Sequence, residues 1–192
     1  FVNSFYKELD IPHISMDDRM AGYLAAKHLA ECGHTRIGAV FKADDGQGHL
    51  RYAGYTDALM EQEIKIRGGQ VIWIDSEELK AMEEESAKFL KRLKGCTACV
   101  CYNDETAYRL VSIFRKAGHR VPDDLSVVGI DNSGLAKFCP VPLTSLENPV
   151  EELGHAAAEQ IIGKILKNEK METQEFVPKL VVRSSVQVIH EI

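Results

Sequence analysis

The sequence predicts an α/β fold built on a doubly wound, mostly parallel sheet. Three observations carry that expectation. Short apolar runs such as Val71–Ile74, Ala98–Tyr102 and Ser126–Ile130 lack the polar alternation of half-buried strands, so they suit strands covered on both faces. The stretches between them place apolar residues at helical spacing. The two patterns alternate with a repeat of roughly 25–35 residues, the length of a strand–helix unit in a parallel sheet.

In chain order, Phe1-Val2 reads as the end of a strand, and the chain opens in mid-pattern, as a fragment does. Asp17-Asp18 open a helix that runs to about Cys32, with Ala21, Leu24, Ala25, His28 and Leu29 on one face and Gly33 as its stop. Arg36–Phe41 is a strand, 42–48 a polar glycine-containing loop, and Leu50 to about Glu63 a second helix. After the strand Val71–Ile74, Glu78 to about Lys94 reads as one long charged amphipathic helix. The strand Ala98–Tyr102 leads into a helix from Glu105 to Ala117, closed by Gly118. The strand Ser126–Ile130 ends in Asp131-Asn132 and a loop holding Gly134, Pro140 and Pro142. Pro149 begins a helix to about Lys167, where its missing N–H is harmless. Phe176–Ser184 reads as a final strand or pair of strands.

A chain of 192 residues with 45% hydrophobic and 27% charged content is an ordinary globule, long enough for a real core. The net charge of -6, with no cluster of Lys and Arg, makes the chain by itself a poor match for a phosphate backbone. No apolar run reaches the roughly 20 residues that span a bilayer, so no membrane partner is expected. Five cysteines without disulfide-framework spacing, and no signal-peptide pattern, point to a reducing cytoplasm.

Polar side chains gather at the ends of the predicted strands. Lys42, Asp44 and Asp45 follow the first, Asp75 the second, Asn103-Asp104 the third and Asp131-Asn132 the fourth, while Arg51 opens the helix after the Lys42 loop. Each alone is an ordinary helix cap. As a set they suit the crevice outside the carboxyl ends of a parallel sheet, where ligands bind. Amides, carboxylates and a guanidinium can each engage two neighbouring hydroxyls, which is the chemistry a sugar requires.

VPDDLSVVGIDNS (121–133), the proline-bounded LTSLEN (143–148), HLAECGHTRIGAV (28–40), the RYAGY turn (51–55) and CYNDETA (101–107) resemble, in order, the signature of the lactose/galactose-repressor family. The stretch VFKADDGQGHLRYAGYTDAL (40–59) is most similar to an L-arabinose-responsive member. The resemblance implies the periplasmic-binding-protein-like, two-lobed sensor fold, with one lobe largely missing. It divides the chain into 16–148 plus 174–192 in one lobe and 1–15 plus 149–173 in the other. Leu153, Ala157 and Ile161 would then be poorly covered. It implies a sugar-sensing effector-binding domain of a transcriptional repressor, not an enzyme, reaching operator DNA only through a separate DNA-binding domain absent from this chain. The alternative from another class is a solute-binding protein for sugar uptake, which the free cysteines argue against.

Carried over residue by residue, the family's effector contacts match Asn3, Arg51, Asn103, Asp131 and Asn148, with Lys42, Asp44 or Asp45 contributed by the preceding loop. Ser76-Glu77-Glu78 stand where many relatives place an aromatic that stacks on the ligand. The family's dimers pair through the helix at 105–117 and the loop at 135–141. Here Ala107, Leu110, Val111, Phe114 and Ala117 share one helical face, which leaves Tyr108, Ser112 and Arg115 beside it. An aromatic next to an arginine suits an interface anchor, and a solvent-facing ring is the plainer alternative. The resemblance implies a homodimer that buries Tyr108 and Phe138, with Ser112 and Arg115 alongside.

Other patterns carry less. Gly46-Gln47-Gly48 hints at a dinucleotide turn, but Arg51 occupies the place of its third glycine. Cys96, Cys99 and Cys101 lack a second ligand pair at metal spacing and read as buried thiols, so no metal or other cofactor is expected. His28, His34 and His119 sit beside helix ends, where capping of the last carbonyls is the expected role.

Overall fold

The computed structural model describes residues 1–6 and 8–189. The last three positions of the expected 174–192 segment, and Lys7 within 1–15, lie outside the described residues. The chain runs β1 (Ile14–Met16), α1 (Asp18–Glu31), β2 (Ile37–Lys42), α2 (Gly46–Glu61), β3 (Val71–Ile74), α3 (Ser76–Lys80), α4 (Ser86–Arg92) and β4 (Ala98–Cys101). It continues through α5 (Asp104–Lys116), β5 (Ser126–Asp131), α6 (Gly134–Phe138), β6 (Thr144–Glu147), α7 (Val150–Lys167), β7 (Gln174–Phe176) and β8 (Lys179–Val181). Six strands form one sheet in the order β3-β2-β4-β5-β6-β8, parallel except for β8, which pairs antiparallel with β6.

Both faces of that sheet are covered, as the apolar runs require. Ile37, Ala39 and Phe41 of β2 and Ala98 and Val100 of β4 pack with Ala21, Ala25, Leu29, Tyr55 and Leu59 of α1 and α2. Val40, Cys99 and Cys101 point the other way, onto Phe89, Leu110, Val111 and Phe114. Alternate residues of one strand thus feed opposite cores, which explains the unbroken apolar composition. α1 and α2 approach at backbone distance: a Cβ on Gly22 would lie 1.9 Å from the Arg51 carbonyl, and one on Gly54 would lie 1.8 Å from that of Arg19.

Several expectations need correction. The helix expected over 78–94 is two short helices, α3 and α4, with a turn between them that carries Glu83-Glu84-Glu85 and sends Met82 fully into the core. The second helix starts at Gly46 rather than Leu50, because Asp45 accepts a 2.7 Å bond from the Gly48 N–H and so caps a turn that glycine would otherwise disfavour. Strand β6 went unpredicted because Thr144 and Ser145 look polar. Both are fully buried, with Ser145 donating to Asp104 and Thr144 accepting from the Arg183 N–H. Gln174–Phe176 joins β1 in a separate two-stranded parallel sheet instead of extending the final strand.

On that small sheet Ile14, Leu153, Ala156 and Ala157 form a cluster of their own with Phe176 packed against it. Leu153 and Ala157 are therefore buried, contrary to expectation, since β1 lies across α7. Ile161 stays 47% exposed, and Ile162, Ile165 and Leu166 beyond it are also exposed. His34 does not cap a helix with its ring. Nδ1 meets Thr97 Oγ1 at 3.0 Å and Nε2 meets the Gln187 carbonyl at 3.1 Å, so the ring ties two loops together. All five cysteines are buried free thiols.

Candidate functional site

The topology selects the place. From β2 the chain first steps outward to β3, then crosses back to β4 and continues through β5 and β6, so the winding reverses between β2 and β4. In such sheets the crevice outside the strand ends at this reversal is the ligand position. Lys42 and Tyr102-Asn103 stand there, with Asp131 one strand further on.

Arg51 is the centre of the arrangement. It stands near the start of α2, its side chain is 2% exposed, and each of its three guanidinium nitrogens has a partner, which among the described residues leaves further N–H groups free to donate. Nε donates to Asp18 Oδ1 at 2.8 Å, Nη1 donates to the Tyr102 carbonyl at 2.6 Å, and Nη2 reaches Asp131 Oδ1 at 3.5 Å. The Tyr102 ring lies 4.7 Å from the guanidinium carbon. Burial alone would lower the arginine's pKa, but the charges of Asp18 and Asp131 outweigh it and raise the value.

Asp131 faces outward from this centre, its side chain about one-third exposed. Its carboxyl is pushed up to about 6, first by burial, against the pull of Arg51 and with Asp104 and Asp18 adding to the rise. Asp45 is held by the Tyr102 hydroxyl at 2.6 Å, and Lys42 Nζ lies 3.3 Å from the same carboxylate. Asn103 caps α5 through Oδ1, which accepts from the Thr106 N–H and Oγ1, and no described residue engages its Nδ2. Asn148 Nδ2 donates to Asn3 Oδ1 at 3.2 Å, while its own Oδ1 is buried with no partner among the described residues. Asp44 accepts from the Ser76 N–H and Oγ with Oδ2, while its Oδ1 lies 3.6 Å from Lys42 Nζ. Asp75 is a cap, closing a capping box with Glu78 at the start of α3.

Arg51, Asp131, Asp45 and Lys42 therefore form one linked group. Asn3 and Asn148 form a pair beside it, Asn103 caps α5, and Asp44 links Lys42 to Ser76 of α3. Three contributors escaped the sequence reading. Asp18 was read only as a helix opener, yet it is 3% exposed and pairs with Arg51. Gln47 joins the pieces, with Nε2 donating to Asp18 Oδ2 at 3.1 Å and to the Asn3 carbonyl at 3.2 Å. Tyr102 was counted as strand. Only Tyr102 carried a signal, as an amphipathic residue just past the end of β4, whereas Asp18 and Gln47 lie in the first turns of α1 and α2, where polar residues are ordinary.

Away from the rim, Tyr108 and Phe138 are 37% and 86% exposed. A groove of about 320 Å³ runs beside Tyr108, lined also by Val111, Ser112, Arg115, Lys116 and Pro140. Among the described residues no three His, Cys, Asp or Glu side chains group as a metal site, and no helix is long and apolar enough to cross a membrane.

A doubly wound sheet with charged and amide groups gathered at its winding reversal has the architecture of the α/β domains that take ligands at this position. Comparison with known proteins narrows this. The chain belongs to the periplasmic binding protein-like domain family, whose model matches residues 26–186. It is 38% identical over 192 residues to the arabinose metabolism transcriptional repressor of Halalkalibacterium halodurans, a match that covers 96% of this chain and 51% of that protein. Among solved structures it is similar to a transcription regulator from Lactobacillus plantarum, with a TM-score of 0.86 and 28% identity, covering 97% of this chain and 71% of that one. It is also similar to a LacI family transcriptional regulator from Enterococcus faecium with bound ribose, with a TM-score of 0.82 and 26% identity, covering 96% and 68%. The chain spans about half the length of the curated relatives it matches. These relatives are transcriptional repressors and regulators, not enzymes.

Proposed function

We propose that this chain is the sugar-sensing effector-binding part of a transcriptional repressor, and that a monosaccharide, L-arabinose first among them, binds at the carboxyl ends of β2, β4 and β5. The observation that carries the reading is the Arg51 centre. A guanidinium held in place by Asp18 and the Tyr102 carbonyl, with the partly exposed Asp131 beside it, is a preorganised donor–acceptor pair that adjacent sugar hydroxyls fit. Lys42, Asp45, Asn103, Asn3 and Asn148 supply further donors and acceptors around it, while Asp44 supports the loop through Ser76. The sugar is chosen on the likeness to an arabinose metabolism repressor, and a solved relative with bound ribose supports the pentose class.

In this reading 16–148 and the segment after β7 form one lobe, and 1–15 plus 149–173, with β7 paired to β1 beside α7, belongs to a second that the rest of the protein completes. A sugar touching both lobes favours the closed arrangement and shifts a homodimer between operator-competent and operator-incompetent states. Operator contact comes through a separate DNA-binding domain, and the dimer forms through α5 and α6 with Tyr108, Ser112, Arg115 and Phe138. Uptake by a solute-binding protein is not favoured, since the relatives are regulators. Calorimetry on the intact protein tests the site. Asp131→Ala should weaken L-arabinose binding by about 1.5–3 kcal/mol, roughly ten- to a hundredfold, the worth of a charge-assisted hydrogen bond. Unchanged affinity would remove Asp131 from the site.

A further inference from the structure

We propose that Asp104, which faces away from the rim, is a positioning residue whose buried carboxylate pins the turn that presents Asp131. The proposal deepens the sugar-site reading and rests on it for its ligand. Asp131 and Asn132 have φ of 103° and 49°, a region that side chains bearing a Cβ rarely adopt. Two such residues in succession persist only where their surroundings hold them. Here the hold is visible. Asp104 Oδ2 accepts from the Ser133 N–H at 2.6 Å, and Oδ1 accepts from Ser145 Oγ at 2.6 Å. The same Ser145 Oγ accepts from the Asn132 N–H at 3.0 Å. Arg183 Nη2 donates to Asn132 Oδ1 at 2.6 Å, and Asn132 Nδ2 donates to Glu147 at 3.2 Å. The turn is thus fastened on both sides of Asn132, with Asp104 and Ser145 beneath it.

The placement of Asp104 argues for this task over a capping role. Asn103 already caps α5, so Asp104 is not needed there. Asp104 is 1% exposed and has no cation within ion-pair distance among the described residues, a costly state for a carboxylate. Strand β5 makes room for it by carrying Gly129, where a Cβ would lie 2.3 Å from Asp104 Oδ1. Both oxygens are committed to the turn, so Asp104 reaches a ligand only through Asp131, by fixing its position and by the charge that helps raise its carboxyl.

The test uses the full-length protein with Asp104→Asn and Ser145→Ala, and two readouts. The first is the three-bond HN–Hα coupling of Asp131 and Asn132 in the unliganded protein, which reports φ directly. The second is calorimetric affinity for L-arabinose. Both variants should move the couplings away from their wild-type values and weaken the sugar roughly tenfold, the scale of one lost hydrogen bond acting through position. Couplings that stay unchanged in a folded Asp104→Asn protein would overturn the proposal, as would unchanged affinity. If Asp104→Asn does not fold, Ser145→Ala decides by the same criteria. If the wild-type protein binds no monosaccharide, the sugar reading fails while the couplings still decide whether Asp104 holds the turn.

Discussion

Removing Asp18 should destabilise the fold sharply, although no sugar need touch it. The Asp18 side chain is 1% exposed, and the Arg51 side chain that it pairs with is 2% exposed. Asp18→Ala deletes the 2.8 Å bond to Arg51 Nε and the 3.1 Å bond from Gln47. Breaking a buried ion pair by removing one partner costs about 3–5 kcal/mol, because the other charge is left uncompensated. Here the Tyr102 carbonyl and Asp131 still hold part of the guanidinium, so the lower end, about 3 kcal/mol, is expected. For a domain of this size that corresponds to a fall of about 6–12 °C in Tm. The double variant Asp18→Ala/Arg51→Met should recover most of that loss, since no charge is then stranded, yet it should not recover sugar affinity. Differential scanning calorimetry and urea melts measure both. If Asp18→Ala changes stability by less than about 1 kcal/mol, the Arg51 centre is not organised as described.

Three further outcomes are expected. Asp131, whose carboxyl is pushed up to about 6 chiefly by burial, should bind sugar best when ionised. Affinity should therefore hold at neutral pH and fall as pH drops through about 6, and a flat calorimetric profile there would refute this. The sign for folding is opposite: a carboxyl raised from 3.8 contributes most stability below that value, and loses it as pH rises through about 6. Gly54→Ala places a Cβ 1.8 Å from the Arg19 carbonyl, so α1 and α2 must part, at a cost of about 3 kcal/mol in urea melts. A near-neutral result would mean the helices slide freely. Tyr108→Asp, at a side chain 37% exposed beside the groove on α5, should turn a wild-type dimer into monomers in sedimentation. A wild-type monomer, or an undiminished mutant dimer, would take α5 out of the interface.

Elements built on one dominant physical signal were legible in the sequence. The central strands β2, β3, β4 and β5 were marked by apolar composition, and α5 by its periodicity, with Ala107, Leu110, Val111 and Phe114 all buried. What escaped depended on partners distant in sequence. Ser145 in β6 is buried only because Asp104, 41 residues away, accepts its hydroxyl. Gln174–Phe176 is a strand only because residues 14–16 pair with it. The rim followed the same division. Arg51 and Asp131 were singled out by position at strand ends and by resemblance, whereas Asp18 had a complete local explanation as a first-turn acid and so hid its long-range role. Asn103 and Asp45 were readable both ways, and the structure shows each acting as a cap, with Asp45 also accepting from the Tyr102 hydroxyl.

The central claim is that a sugar sits against Arg51 and Asp131. A crystal structure of the intact protein with L-arabinose tests it most directly. The sugar should lie at the carboxyl ends of β2, β4 and β5, with hydroxyls at hydrogen-bonding distance from the Arg51 guanidinium and the Asp131 carboxylate. A sugar bound elsewhere, touching neither residue, would contradict the account.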